Sequence, residues 1–145
     1  TGKNVELSSM PSLVTGATTF IIEGGNLKIT WDMTSTHNVA FVVKGWNITI
    51  HKDVEKIDGT YIAIPVSGNG GEILGNGNTN KQLVVNGSLY GDITELIDDR
   101  YYISNDGGML SVGTIVSFGS KLFSKPAPLV TQFIGEYLQA QKIAR

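Results

Sequence analysis

FVVKGWNITI, Phe41 to Ile50, decides how this chain is read, because the sequence writes it more than once. Set back by 21 residues, FIIEGGNLKI at Phe20 to Ile29 lies beneath it, with Phe, Gly, Asn and Ile matched. Set forward by twice that step, LVVNG at Leu83 to Gly87 falls under FVVKG. At the intermediate step, Ile62 and Ile64 of IAIP supply the first and third apolar positions without the Gly. A constant period that carries strand formers and a turn is the mark of stacked coils, whereas hairpins have no reason to keep one length. The expectation is that Phe20, Phe41, Ile62 and Leu83 pile into one column.

Outward from this stretch, each copy has the same order: an apolar triplet, a Gly corner, then alternation. Leu27, Ile29 and Trp31 alternate with Lys28, Thr30 and Asp32, and Trp46, Ile48 and Ile50 alternate with Asn47 and Thr49, as half-buried strands do. Asp58-Gly59 reads as a turn, and Pro65 as a strand end, because proline cannot donate to a ladder. Ser67 to Asn80, SGNGGEILGNGNTN, is nearly all turn residues and reads as a loop thrown out of the stack. In LVVNGSLYGDI, residues Leu83, Val85, Gly87, Leu89, Gly91 and Ile93 share a parity, which suits a narrow interior. Tyr101 to Ile103 and Met109 to Val112 flank SNDGG about three residues out of register, as a corner deletion or the end of the repeat would leave them. From Leu129 onward the apolar residues pair as Leu129/Val130, Phe133/Ile134 and Tyr137/Leu138, a helical stripe with Pro128 near its start and Lys142 and Arg145 near its end.

The fold class expected is therefore all-β: a single-stranded right-handed parallel β-helix of about 21-residue coils with a C-terminal amphipathic α-helix across its open end. The alternative is a β-sandwich or barrel. The domain plan is 1–19 as a lead-in, 20–123 as the β-solenoid and 124–145 as the capping helix.

Composition narrows the function classes. Eleven basic and 13 acidic residues leave a net charge of -2, so no field favours nucleic acid. No apolar run reaches the roughly 20 residues of a membrane-spanning helix, so no integral membrane segment is expected. There is no Cys, which removes disulfides, thiolate nucleophiles and Cys-ligated zinc. The chain opens at Thr1 without an initiator Met, suggesting a processed or excised product. Eighteen Gly against 4 Pro fit many tight turns between short strands.

Motifs for chemistry are sparse. Asp92, Glu95, Asp98 and Asp99 beside Arg100 are the candidate for paired-carboxylate catalysis, and the plainer reading is a solvated turn. His37 and His51 are not at a metal-ligand spacing, and neither a nucleophile elbow nor a phosphate loop nor an EF-hand is complete. No catalytic residue, metal site or cofactor is assigned. Trp31, Trp46 and Tyr90 lie at related places in successive coils and are the candidate ligand-binding residues. Facing outward they would form a platform for sugar rings; parity with Ile29 and Ile48 instead places Trp31 and Trp46 inward. Asn47-Ile48-Thr49 and Asn86-Gly87-Ser88 match glycan acceptor sites.

The cadence of LVVNGSLYGDI resembles rungs of bactofilin-type polymer-forming proteins and of bacterial surface parallel β-helix proteins, over Phe20 to about Val112. The resemblance implies a structural, self-assembling role and carries no catalytic residues. The function expected is a non-catalytic structural or adhesive β-solenoid module of a bacterial cell surface or extracellular assembly. Its partner would be a second copy or another protein at the N-terminal rung, with a glycan as a further ligand. The alternatives are a carbohydrate-binding module and a polysaccharide-degrading β-helix enzyme of the lyase or hydrolase kind, of bacterial or phage origin.

Overall fold

Val, Ile, Phe and Thr dominate the strands of this protein, and Gly or Asn stands where the chain turns. The computed structural model describes residues 3–12, 14–103, 110–119 and 125–143. Its strands are β1 (Val5–Leu7), β2 (Thr18–Glu23), β3 (Leu27–Ile29), β4 (Val39–Lys44), β5 (Ile48–Ile50), β6 (Lys56–Ile64), β7 (Ile73–Leu74), β8 (Leu83–Tyr90), β9 (Tyr102–Ile103), β10 (Leu110–Ser111) and β11 (Thr114–Ser117). Helix α1 is Thr94–Asp99, and helix α2 is Val130–Ile143. Through β8 the chain alternates between two parallel sheets, one ordered β1-β3-β5-β7 and the other β11-β8-β6-β4-β2. β9 and β10 form a separate antiparallel pair.

This architecture corrects the expected fold class. The structure is neither an all-β single-stranded β-helix nor a β-sandwich or barrel: it has α/β character, with parallel sheets of four and five strands and helices packed on them. The constant period on which the expectation rested does not persist. Phe20 pairs with Phe41 at a spacing of 21 residues, Phe41 with Tyr61 at 20, and Tyr61 with Leu89 at 28. The column is thus Phe20, Phe41, Tyr61 and Leu89, not Phe20, Phe41, Ile62 and Leu83. Ile62 pairs with Val42 on the opposite face, and Leu83 pairs with Thr114. A slip of one residue exchanges the two faces of a strand, which is how IAIP misled the alignment.

Between the two sheets lies the main core, formed by Leu27, Ile29, Ile48, Ile50 and Ile73 from one side and Phe41, Val43, Tyr61, Ala63 and Val85 from the other. Phe20, Phe41 and Tyr61 stack with ring centroids 5.2 and 5.4 Å apart. Tyr61 is wholly buried, its hydroxyl donates to the Asp58 carbonyl at 3.1 Å, and burial holds its pKa far above the usual tyrosine value. Asp58-Gly59 is not a turn, since β6 runs through it. Gly59 pairs with Gly87, and a Cβ on Gly87 would stand 1.7 Å from the Gly59 carbonyl oxygen, so the two strands approach as only glycine permits.

β4 is buried on both faces because α2 lies on the outer face of the five-stranded sheet. Phe133 packs with Val42, Ile62 and Ile64, while Val130 packs with Ala40 and Ala127. Burying two such side chains contributes about 3–6 kcal/mol. Lys44 adds an ion pair to Glu136 at 2.9 Å and sits 4.9 Å from the Phe133 ring centroid. The expected cap across an end is therefore a layer on a face. The end of the four-stranded sheet is instead covered by α1, which packs on β7 and buries Leu96 completely in the main core. Ser67 to Asn80 is also corrected: it supplies β7, which pairs with β5 as the last strand of the four-stranded sheet. SNDGG and the Phe123 and Arg145 positions lie outside the described residues.

Candidate functional site

Asparagine and aspartate hold the corners. The Asn26 side-chain oxygen accepts the Asn47 N–H at 2.8 Å, and that of Asn47 accepts the Glu72 N–H at 3.1 Å. The Asn47 amide then donates to the Glu72 carboxylate at 2.8 Å. Asp32 accepts the N–H groups of Glu55 and Lys56, and Asp58 accepts that of Ser35. These residues satisfy backbone donors that a turning chain leaves outside its ladders.

Trp31, Trp46 and Tyr90 are not brought together as a column. Trp31 lies two residues beyond the end of β3 and is 69% exposed, so its parity with Ile29 no longer governs its direction. Trp46 occupies the corner between β4 and β5, half-buried against the main core. Tyr90 ends β8 on the outer face, where its ring meets Tyr137 edge-on at 6.2 Å. Each tryptophan borders its own cleft. The Trp46 cleft, about 940 Å³, also presents Lys44, Asn47, Ser67 and Asn69. The Trp31 cleft, about 470 Å³, is formed with Asp32, Asp53, Glu55 and Lys81.

Two members of the acidic set around α1, Asp92 and Asp99, are held in structural bonds, while Glu95 and Asp98 stand on the helix. Asp92 accepts from the Thr94 N–H and hydroxyl, which lowers its pKa, and Asp99 accepts the Gly77 N–H at 3.0 Å. Arg100 is 3% exposed and donates to the Val54 and His51 carbonyls at 2.9 and 2.8 Å. Burial pulls its pKa below the ordinary guanidinium value, against the charges of Asp99 and Glu55. Its role is to tie the 51–54 turn to α1. His51 lies 3.6 Å from Asp53 and His37 sits in the Ser35 turn, and among the described residues no three His, Asp or Glu side chains gather as a metal site.

A feature that side-chain motifs could not reveal is the edge at β2. In a parallel ladder alternate residues bond the same neighbour; Thr18 donates to Asn38, so Thr19, Ile21 and Glu23 turn their N–H groups away from β4. Among the described residues those three N–H groups have no backbone partner. Ile21 is 47% exposed, and Phe20 and Ile22 are half-buried on the inner side. The strand carries no Lys, Pro or bulge; Glu23 places one charge at its end, and the Thr19 hydroxyl donates to the Pro128 carbonyl. The sequence signal available was FII without a flanking Lys.

No family model matches the chain, and neither curated proteins nor solved structures give a match. No helix among the described residues is long and apolar enough to cross a membrane.

Proposed function

We propose that this chain is a non-catalytic structural or adhesive module of a bacterial cell surface or extracellular assembly, joined to a second copy or another protein by strand addition at β2. The observation that carries the reading is the β2 edge, which has no strand partner on its outer side among the described residues. Six residues long, it presents the outward N–H groups of Thr19, Ile21 and Glu23 beside the exposed Ile21 side chain. Strand addition supplies main-chain hydrogen bonds for affinity and alternate side-chain contacts for specificity. Self-pairing in antiparallel sense with Ile21 opposite Ile21 of the second copy sets Phe20 against Ile22 and Thr19 against Glu23, with no like charges opposed.

Ile21→Pro tests this reading. The substitution removes an outward donor, and proline is tolerated on an edge strand when the lost N–H faces solvent. Sedimentation velocity across a concentration series should show association of the wild-type chain and a monomer for Ile21→Pro of unchanged circular dichroism. Wild-type chain that remains monomeric throughout, and fails to take up a strand-forming peptide copying Thr18–Glu23, would contradict it.

A further inference from the structure

Trp31 is the most exposed aromatic residue of the described chain, yet the backbone around it is fixed. Thr30 donates its N–H and its hydroxyl to the Leu7 carbonyl at 2.9 and 3.2 Å. On the other side, Met33 is wholly buried and exchanges backbone hydrogen bonds with Lys56 and Asp58 at 3.0 and 2.7 Å. Asp32, between them, is pinned by the Glu55 and Lys56 N–H groups at 2.8 and 3.1 Å. The indole is therefore exposed from an anchored segment, and keeping so large an apolar ring in water yields no packing energy within the chain.

The cleft beside it has an unbalanced set of polar groups. Lys81 reaches Asp53 at 3.1 Å and Glu55 at 3.8 Å, so its single positive charge is shared between two carboxylates. With Asp32 the lining carries three carboxylates against one ammonium. Hydrogen bonding to Lys81 holds the Asp53 carboxyl below its ordinary pKa, so it remains ionised at neutral pH. Among the lining residues the unspent capacity is almost entirely that of acceptors and the charge is negative, with His51 at 3.6 Å from Asp53 and Lys52 acting on it from outside the lining. A ligand for this cleft needs a flat C–H face for the indole, several hydroxyl donors and positive rather than negative charge. A pyranose ring supplies the first two, and a free amino group supplies the third. A uronic acid ring has the wrong sign, and a simple polyamine lacks the face.

We propose that the Trp31 cleft is a binding site for amino-sugar residues of a glycan, with the sugar ring stacked on Trp31 and its hydroxyl and ammonium groups directed to Asp53 and Glu55. The site is separate from the β2 edge and does not depend on strand addition there.

Isothermal titration of the full chain with a glucosamine tetramer, its N-acetylated form, a galacturonate tetramer and tetralysine tests the assignment. Saturable binding of the glucosamine tetramer is expected, about tenfold weaker after N-acetylation and absent for galacturonate. Trp31→Ala should weaken binding about tenfold or more, as loss of a central aromatic anchor does, while Trp46→Phe leaves it unchanged. Equal unfolding midpoints for wild type and Trp31→Ala would tie the loss to the ring rather than to folding. No saturable heat with the glucosamine tetramer, equal affinity for tetralysine, undiminished binding by Trp31→Ala, or equal affinity for the N-acetylated form would each overturn the proposal.

Discussion

The two ends of the main core differ in how they stop. At one end α1 lies over β7, Leu96 is fully buried, and Arg100 ties α1 to the 51–54 turn through two carbonyls. At the other, Leu7, Met10, Phe20 and Ile22 are only partly buried, and β2 keeps outward donors without a backbone partner among the described residues. α1 and Arg100 close the four-stranded sheet at β7, although the five-stranded sheet still stops there at β11 with Ile115 and Val116 exposed; at the other end β2 has no covering helix among the described residues. The molecule thus has one end whose packing is closed by a helix and one whose core residues are only partly covered.

The largest effect is expected between them, where β6 and β8 approach closely at Gly59 and Gly87. Gly87→Ala places a methyl group against the Gly59 carbonyl oxygen, and equilibrium urea unfolding should show a loss of about 3 kcal/mol or more, or no folded protein. At the closed end, Leu96→Ala should cost about 2–5 kcal/mol in the same assay. At the open end, Phe20→Ala should cost about 1–2 kcal/mol, because the ring is only partly removed from water. Equal losses for Leu96→Ala and Phe20→Ala would erase the contrast. The smallest effect concerns α2. The Lys44 hydrogen bond lowers the Glu136 pKa from 4.5, so its contribution is present above that value and fades as pH falls through the depressed one. The pair is partly exposed, so Glu136→Gln should lose only about 0.5 kcal/mol at pH 7 and progressively less as pH falls through the depressed pKa, read from thermal melts.

Much of the fold was legible in residues, and what was missed has physical causes. The register of β2 with β4 and of β3 with β5 follows directly from FIIEGGNLKI and FVVKGWNITI. The next step failed because YIAI carries apolar residues at every position, and periodicity alone cannot say which parity faces inward. That same continuous run, with VAFVV before it, was the signal of strands covered on both faces, and hence of α2 as a layer rather than a lid. The Gly-rich Ser67 to Asn80 segment hid β7 because a two-residue strand leaves no period to detect. Trp31 shows the complementary limit: alternation forecasts direction only while the strand lasts, and β3 ends at Ile29. The asparagine bonds at the corners were visible as recurring Asn26 and Asn47, although their partners required the register to be known.

Amide hydrogen exchange along β2, followed from dilute to concentrated protein, tests the edge most directly. In dilute solution Thr19, Ile21 and Glu23 should exchange rapidly while Phe20 and Ile22, bonded towards β4, are protected; on concentration the first three should become protected together. Protection of those three at every dilution, or none at any concentration, would contradict a pairing surface at β2.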